Sequence, residues 1–260
     1  MLTARQAKIA EMVRDQEVLT VDALAASFEV TTQTIRRDVM AVCDMGLARR
    51  RHGRIEALGD DLNLSFEARR VLNIQAKHSI GRVVARQVPE GASIAFSIGT
   101  TPVIVAEALL EHRNLTIATN NLHLALVASQ NPGIKIHVPG GELRHGDFDI
   151  LGREATEFFS RFKFDIGIYG VGGVDENGAL LDFSEDEVQV RQVIRDNALA
   201  SFLVLDHRKF GRRALVRAGH VSEATRVFCD RPPEGAYLDA LKDADITYSS
   251  SLNGGLDERD

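Results

Sequence analysis

Cysteine is scarce: Cys43 and Cys229 are the two in 260 residues, far apart and outside any C-x-x-C pair, so neither a disulfide framework nor a cysteine zinc site is indicated. Long apolar runs are missing too. Nothing approaches the ~20 residues of a membrane-spanning helix, and the opening MLTARQAKIAEM lacks the apolar core of a secretory signal. These absences predict a protein of a reducing cytoplasm with no membrane partner, no metal and no cofactor.

A general excess of positive charge is also lacking, with 31 Lys and Arg against 37 Asp and Glu and a net charge of −6. Spread evenly, that balance would argue against a nucleic-acid partner. It is not spread evenly: residues 1–57 hold 9 basic and 8 acidic side chains, leaving 22 and 29 for the remainder. The basic residues of the first part gather between Arg36 and Arg54, which predicts a local positive face on an acidic protein. Binding through such a face depends steeply on salt and has little indiscriminate affinity. At 44% hydrophobic content the chain is long enough for two compact domains.

The segment TTQTIRRDVMAVCDMGLARRRHGRI, Thr31 to Ile55, carries the most information. Ile35, Val39 and Val42 recur at the i, i+4, i+7 spacing of one helix face, leaving Gln33, Thr34, Arg36 and Arg37 on another. Upstream, Val21 to Phe28 predicts a short helix with Leu24 and Phe28 inward, and Glu29-Val30 leads into Thr31 as N-cap. A helix over Thr3 to Asp15, with Ile9, Met12 and Val13, supplies the third side of a small core. Beyond Gly46, Leu47 to Arg51 and Ile55 to Ala57 suit two strands joined at His52-Gly53-Arg54. The pattern is a winged helix-turn-helix, a module that places its second helix in the major groove of double-stranded DNA.

Candidate DNA-binding residues follow from chemistry and reach. Gln33 and one of Arg36 and Arg37 are suited to bidentate contacts with base edges, while Thr32, Thr34 and the other arginine position the protein on phosphates. Arg49, Arg50, Arg51, His52 and Arg54 face phosphate or a minor groove. Asp38 is repelled by phosphate, so its expected role is to pair with an arginine and hold the recognition helix.

Leu58 to Asn73 is polar and acidic and reads as a linker that ends in a short helical approach carrying Phe66 and Arg69. From about residue 74 to 248, strand and helix patterns alternate, which predicts a parallel sheet covered by helices; residues 249–260 read as a disordered tail. The fold class is thus α/β, an N-terminal winged helix-turn-helix domain over 1–57 followed by a larger α/β domain. In open sheets of this kind ligands gather beyond the carboxyl ends of the strands, and those ends hold small and polar residues here. Ser97, Gly99, Thr100 and Thr101 lead into a helix with Pro102 expected at its first position, a place for a phosphate. Asn120 and Asn121, then Gly141, Glu142 and Arg144, then Gly172 and Asp175 follow later strands. Lys209 lies past another strand end and supplies a compact positive charge. Together these predict a site for a phosphorylated small molecule.

The strings TIRRD (34–38), LARRRHG (47–53), SFEAR (65–69), IGTT (98–101), TNN (119–121), GGELR (140–144) and DHRKFG (206–211) resemble the DeoR-type bacterial transcriptional regulators over nearly the whole chain. The resemblance implies a sensing domain akin to ribose-5-phosphate isomerase, and release of operator DNA on binding glycerol 3-phosphate or a sugar phosphate. Ser97 departs from the family's usual Asp at that position, removing a carboxylate that would meet effector hydroxyls, and Arg54 replaces a wing glycine. A dimer or tetramer is expected, because one short winged helix offers little surface. The competing reading is an isomerase, which needs an acid/base pair. Related isomerases place two aspartates around the turn corresponding to Tyr169 through Gly172, and neither position is acidic here. Glu187, beside Glu185 and Asp186, reads as part of a solvated helix N-terminus. No catalytic residue is therefore expected.

Overall fold

The computed structural model describes residues 2–16, 18–51, 53–58 and 64–250 and divides into two compact units, Met1–Ile74 and Gln75–Asp260. The first contains α1 (Ala4–Gln16), β1 (Val18–Thr20), α2 (Val21–Ser27), α3 (Thr32–Asp44), β2 (Ala48–Arg51), β3 (Arg54–Ala57) and α4 (Phe66–Val71). Ile9, Val13, Leu24, Ile35, Val39, Val42 and Ile55 meet with no exposed surface, so the apolar faces read from their spacing do form one core. Each helix of the central pair starts on a threonine whose hydroxyl accepts a backbone N–H of its first turn: Thr20 from Ala23 (3.1 Å), Thr31 from Thr34 (3.2 Å). Glu29, in the left-handed region at φ 53°, makes the tight turn between them.

One feature of this unit differs from expectation. β1 adds a third strand to the wing, pairing antiparallel with β3, which pairs in turn with β2. The short helical approach expected at the end of the linker is present as α4, capped by Ser65, and Ala68 and Leu72 carry it into the core of the first unit. Apolar residues at the i, i+4 spacing outweigh the acidic stretch before them; residues 59–63 lie outside the described part.

The second unit runs α5 (Ile74–Ala85), β4 (Ser93–Phe96), α6 (Thr100–Ala108), β5 (Thr116–Thr119), α7 (Leu122–Ala128), β6 (Lys135–His137), α8 (Gly152–Ser160), β7 (Phe164–Tyr169), β8 (Gly173–Val174), β9 (Ala179–Asp182), α9 (Glu185–Asp196), β10 (Ala198–Val204), β11 (Val216–His220), β12 (Arg226–Cys229), α10 (Ala236–Ala240) and β13 (Ile246–Tyr248). Seven strands form one parallel sheet in the order β13-β12-β10-β7-β4-β5-β6. Central strands such as β4, with Ile94, Ala95 and Phe96 all buried, show the continuous apolar run of a sheet covered on both faces. The chain steps outward from β4 through β5 to β6, then returns to the other side of β4 as β7 and proceeds to β13. The reversal lies between β4 and β7, where open α/β sheets leave a crevice.

A small antiparallel sheet, β11-β9-β8, was not expected, because its strands run through glycine turns. Helix α6 begins at Thr100 with Gly99 as N-cap, which moves Pro102 from the expected first position to the third. Two residues read as part of the tail are ordered, since Ser249 is buried and Ser250 N–H donates to the Asp230 carbonyl (2.9 Å); residues 251–260 lie outside the described part.

Candidate functional site

On α3 the inward row of Ile35, Val39 and Val42 leaves Gln33, Arg36, Arg37 and Met40 exposed on the other side. Thr32 and Thr34 are half-buried, and the Thr34 hydroxyl sits 3.0 Å from that of the cap Thr31. Asp38 breaks the exposed row: it is 3% exposed and receives Arg5 Nε at 2.6 Å and Gln6 Nε2 at 2.9 Å. Gln6 also closes a capping box with Thr3, its Oε1 accepting Thr3 N–H (2.9 Å) while its own N–H donates to the Thr3 hydroxyl (3.3 Å). The start of α1 is thereby tied to the middle of α3. Between them opens a cleft of about 640 Å³, lined by Thr3, Arg5 and Gln6 on one side and Gln33, Thr34, Arg36, Arg37 and Met40 on the other.

In the wing, Arg49 Nε meets Glu56 Oε2 across the hairpin (3.0 Å), so that charge is already paired. Arg50, Arg51 and Arg54 are exposed, and the register sets Arg51 directly opposite Arg54. Like charges facing each other across a hairpin cost stability unless an anion comes between them. His52, the remaining wing candidate, lies outside the described residues.

In the second unit, the segments following β4, β5, β7 and β10 come together at the carboxyl edge of the sheet. Ser97 N–H donates to the Ile168 carbonyl (3.0 Å), continuing the pairing of β4 with β7 past the last strand residue. Gly99, at φ 126°, turns the chain into α6 with no side chain to cap it, and the hydroxyls of Thr100 and Thr101 are buried in the first turn. A Cβ at Gly99 would be strained at that φ and would press on Pro102 Cδ at 3.3 Å. One strand over, Asn120 Nδ2 donates to the Ile150 carbonyl (2.8 Å) and Asn121 Oδ1 accepts Leu124 N–H (3.0 Å). Their other amide atoms, Asn120 Oδ1 and Asn121 Nδ2, are buried without a hydrogen-bond partner. Buried polar atoms left unpaired are costly, and these two belong to neighbouring residues just past the end of β5.

Arg144, singled out in the sequence, is engaged by acids of its own unit. Its Nε and Nη2 meet both oxygens of Asp149 (2.8 and 2.7 Å), and Nη1 meets Glu187 Oε1 (2.7 Å). Burial works against its charge, but these bonds outweigh burial and raise the guanidinium above its ordinary value. Glu187 corrects the sequence reading: it is buried rather than solvated, and its Oε2 also accepts Phe183 N–H (3.3 Å). The Ser184-x-x-Glu187 pattern was a legible start of α9.

Gly172 N–H donates to Asp182 Oδ1 (2.6 Å), and Asp182 Oδ2 pairs with Arg191, which reaches it from α9. Burial pushes the Asp182 carboxyl above the ordinary carboxylate range, against the pull of Arg191, the Gly172 N–H and Lys209. Lys209 thus stands near this cluster, on the 3-10 turn His207–Lys209 that follows β10. A Cβ on the adjacent Gly173 would run into the Arg212 carbonyl, so this close approach requires glycine. Asp175 is taken up by the β8–β9 turn, accepting Asn177 N–H (2.9 Å) and Ala179 N–H (2.8 Å). Gly141 and Glu142 are exposed on the loop leading to Arg144. Asp182 and Arg191 escaped sequence reading because nothing local distinguishes a buried carboxylate at a strand end from a surface one.

Two family models match the chain: the DeoR-like helix-turn-helix domain over residues 5–59 and the DeoR C terminal sensor domain over residues 72–231. The chain belongs to the DeoR family of helix-turn-helix regulators, and not to a class of enzymes. It is 38% identical over 244 residues to the glycerol-3-phosphate regulon repressor of Escherichia coli (strain K12), covering 94% of this chain and 97% of that one. The repressor of the same name from Haemophilus influenzae is 39% identical, with 89% and 90% covered. The HTH-type transcriptional repressor CsqR of Escherichia coli (strain K12) is 35% identical, with 93% of each chain covered. Among solved structures, ribose 5-phosphate isomerase A from Methanocaldococcus jannaschii is similar at a TM-score of 0.40 and 15% identity over 54% of this chain and 56% of that one.

Proposed function

We propose that the protein is a cytoplasmic transcriptional repressor that binds operator DNA as a homo-oligomer and is released by a phosphorylated small metabolite, glycerol 3-phosphate before other candidates. The observation that carries the DNA-binding half is the outer face of α3, where Gln33, Arg36 and Arg37 stand exposed on a helix held from behind through Asp38. Gln and Arg side chains match the donor and acceptor pattern of adenine and guanine in the major groove. Arg51 facing Arg54 supports an anionic partner for the wing.

The effector half is supported by the α6 N-terminus beyond Gly99, the unpaired amide atoms of Asn120 and Asn121, and Lys209 near Asp182. Helix N-termini with free N–H groups favour phosphate, and asparagines meet hydroxyls. The names of the relatives quoted above favour glycerol 3-phosphate. Effector and operator then stabilise different states of the protein, so that each weakens the other by the same factor, about 5–150-fold for a coupling of roughly 1–3 kcal/mol.

The test is fluorescence anisotropy of the full chain on DNA from immediately upstream of its own transcription unit, titrated with glycerol 3-phosphate, ribose 5-phosphate, fructose 1-phosphate and inorganic phosphate. Release by glycerol 3-phosphate alone is the expected result. Release by another ester only would keep the repressor and change its ligand, whereas binding that ignores all four would remove the effector assignment.

A further inference from the structure

Met40 is the exception on α3. The helix buries Val39 and Val42 completely, and Met12 and Met45 pack against the core of the unit, yet Met40 is 55% exposed and has no place in that core. An apolar side chain left in water on a helix is common enough by itself. Its position is what matters: Gln33, Arg36, Arg37 and Met40 fall at i, i+3, i+4 and i+7, and all four line the same cleft. That spacing is the set through which the third helix of homeodomains contacts base edges.

We propose that Met40 reads a thymine methyl group in the major groove, which makes it a specificity-determining residue that hydrogen-bond chemistry alone would overlook. The inference rests on reading α3 as the recognition helix. Thymine presents its C5 methyl in the major groove, and this is the apolar feature that distinguishes it from cytosine. Methionine suits that contact because its unbranched, polarizable thioether adapts its shape to a small apolar partner. It cannot supply the paired donors of Arg or the donor and acceptor of Gln, so its discrimination comes from burying the methyl. Seven residues separate Gln33 from Met40, about 10.5 Å of helix, or roughly three steps of duplex DNA. Because a helix in the major groove is inclined to the duplex axis, the thymine read by Met40 lies within about three base pairs of the base read by Gln33.

Replacing thymine by uracil removes the methyl and nothing else, which makes the test direct. A duplex selected by the wild-type chain from a random-sequence pool is resynthesised with uracil at each thymine in turn and titrated with the wild-type chain and with Met40→Ala and Met40→Leu. At one thymine of each half-site, uracil weakens the wild-type chain about 4-fold, the worth of about one buried methyl group. Met40→Ala binds the thymine duplex more weakly and suffers no further loss with uracil at that position; Met40→Leu keeps the penalty. 5-Methylcytosine there is tolerated better than cytosine by the wild type and equally by Met40→Ala. Because Met40 is exposed, the variants keep their fold, which circular dichroism and thermal midpoints verify. The same uracil penalties in wild type and Met40→Ala at every thymine would overturn the inference while leaving the DNA-binding reading intact. Failure of the wild-type chain to select any sequence would overturn both.

Discussion

Arg5 and Asp38 are 33 positions apart in the chain and meet at 2.6 Å, Nε to Oδ2. The bond fastens the recognition helix to the helix that opens the fold, and Gln6 doubles it from the next position. The two partners are unequal: the Asp38 side chain is 4% exposed, that of Arg5 38%. Arg5→Ala should therefore be the more damaging substitution, since it strands a buried carboxylate on one amide donor, whereas Asp38→Ala releases a guanidinium that can turn to water. We expect Asp38→Ala to cost about 1.5–3 kcal/mol, the range for hydrogen bonds to charged groups, and Arg5→Ala somewhat more. Urea unfolding of both variants and of the double variant checks the order; equal losses that add in the double variant would mean the pair is not coupled.

The reading face and the wing should fail in different ways. Gln33→Ala is expected to lose roughly 1–3 kcal/mol on the operator and to relax the preference at one base pair, with affinity for unrelated DNA unchanged. Arg51→Ala or Arg54→Ala should weaken binding to all sequences alike and flatten the dependence of log affinity on log salt by about 0.9. Arg37→Ala should weaken the operator complex and leave effector binding as it was. Titrations at several salt concentrations, on operator and scrambled duplexes, separate these outcomes.

Lys209 tests the placement of the effector. Lys209→Ala should abolish the response to glycerol 3-phosphate while operator binding persists, measured by anisotropy with and without the ester and by calorimetry of the ester alone. A variant that responds like the wild type would move the pocket elsewhere on the sheet edge.

The thiols offer a prediction independent of either ligand. Burial, reinforced by Asp230, pushes the Cys229 thiol well above its ordinary value, and burial also raises Cys43, with Arg50 pulling the other way. Thiolate is the reactive form, so at pH 8 a disulfide reagent should label the half-buried Cys43 slowly and reach Cys229 only on unfolding. Two rapidly reacting thiols in the native chain would contradict the packing around Cys229.

Much of this molecule was legible from spacing alone. The cap at Thr31, the apolar row Ile35, Val39 and Val42, and the alternation that yields the parallel sheet all depend on local pattern, and local pattern is what a sequence displays. What escaped depends on partners distant in the chain. β1 has three residues and exists because Leu19 finds Ile55 across the wing. Glu187 looked like one acid among three at a helix start, and Arg144, 43 positions away, meets it inside. Asp38 was legible as a pairing residue but not its partner, since the nearby arginines of α3 were as good candidates on paper as Arg5. Met40 passed unnoticed because a methionine on a helix ordinarily belongs to the core.

The sheet has a consequence in time as well as in space. Its central strands β4 and β7 are distant in the chain, Ser93 N–H bonding to Asp165 across 72 positions, and both sides of the crevice exist only once β7 has been made. The core that supports the recognition helix is complete by Leu72. Domains fold in order as a ribosome delivers them, so every newly made copy passes through an interval in which α3 is seated in its core and the carboxyl edge of the sheet is unfinished.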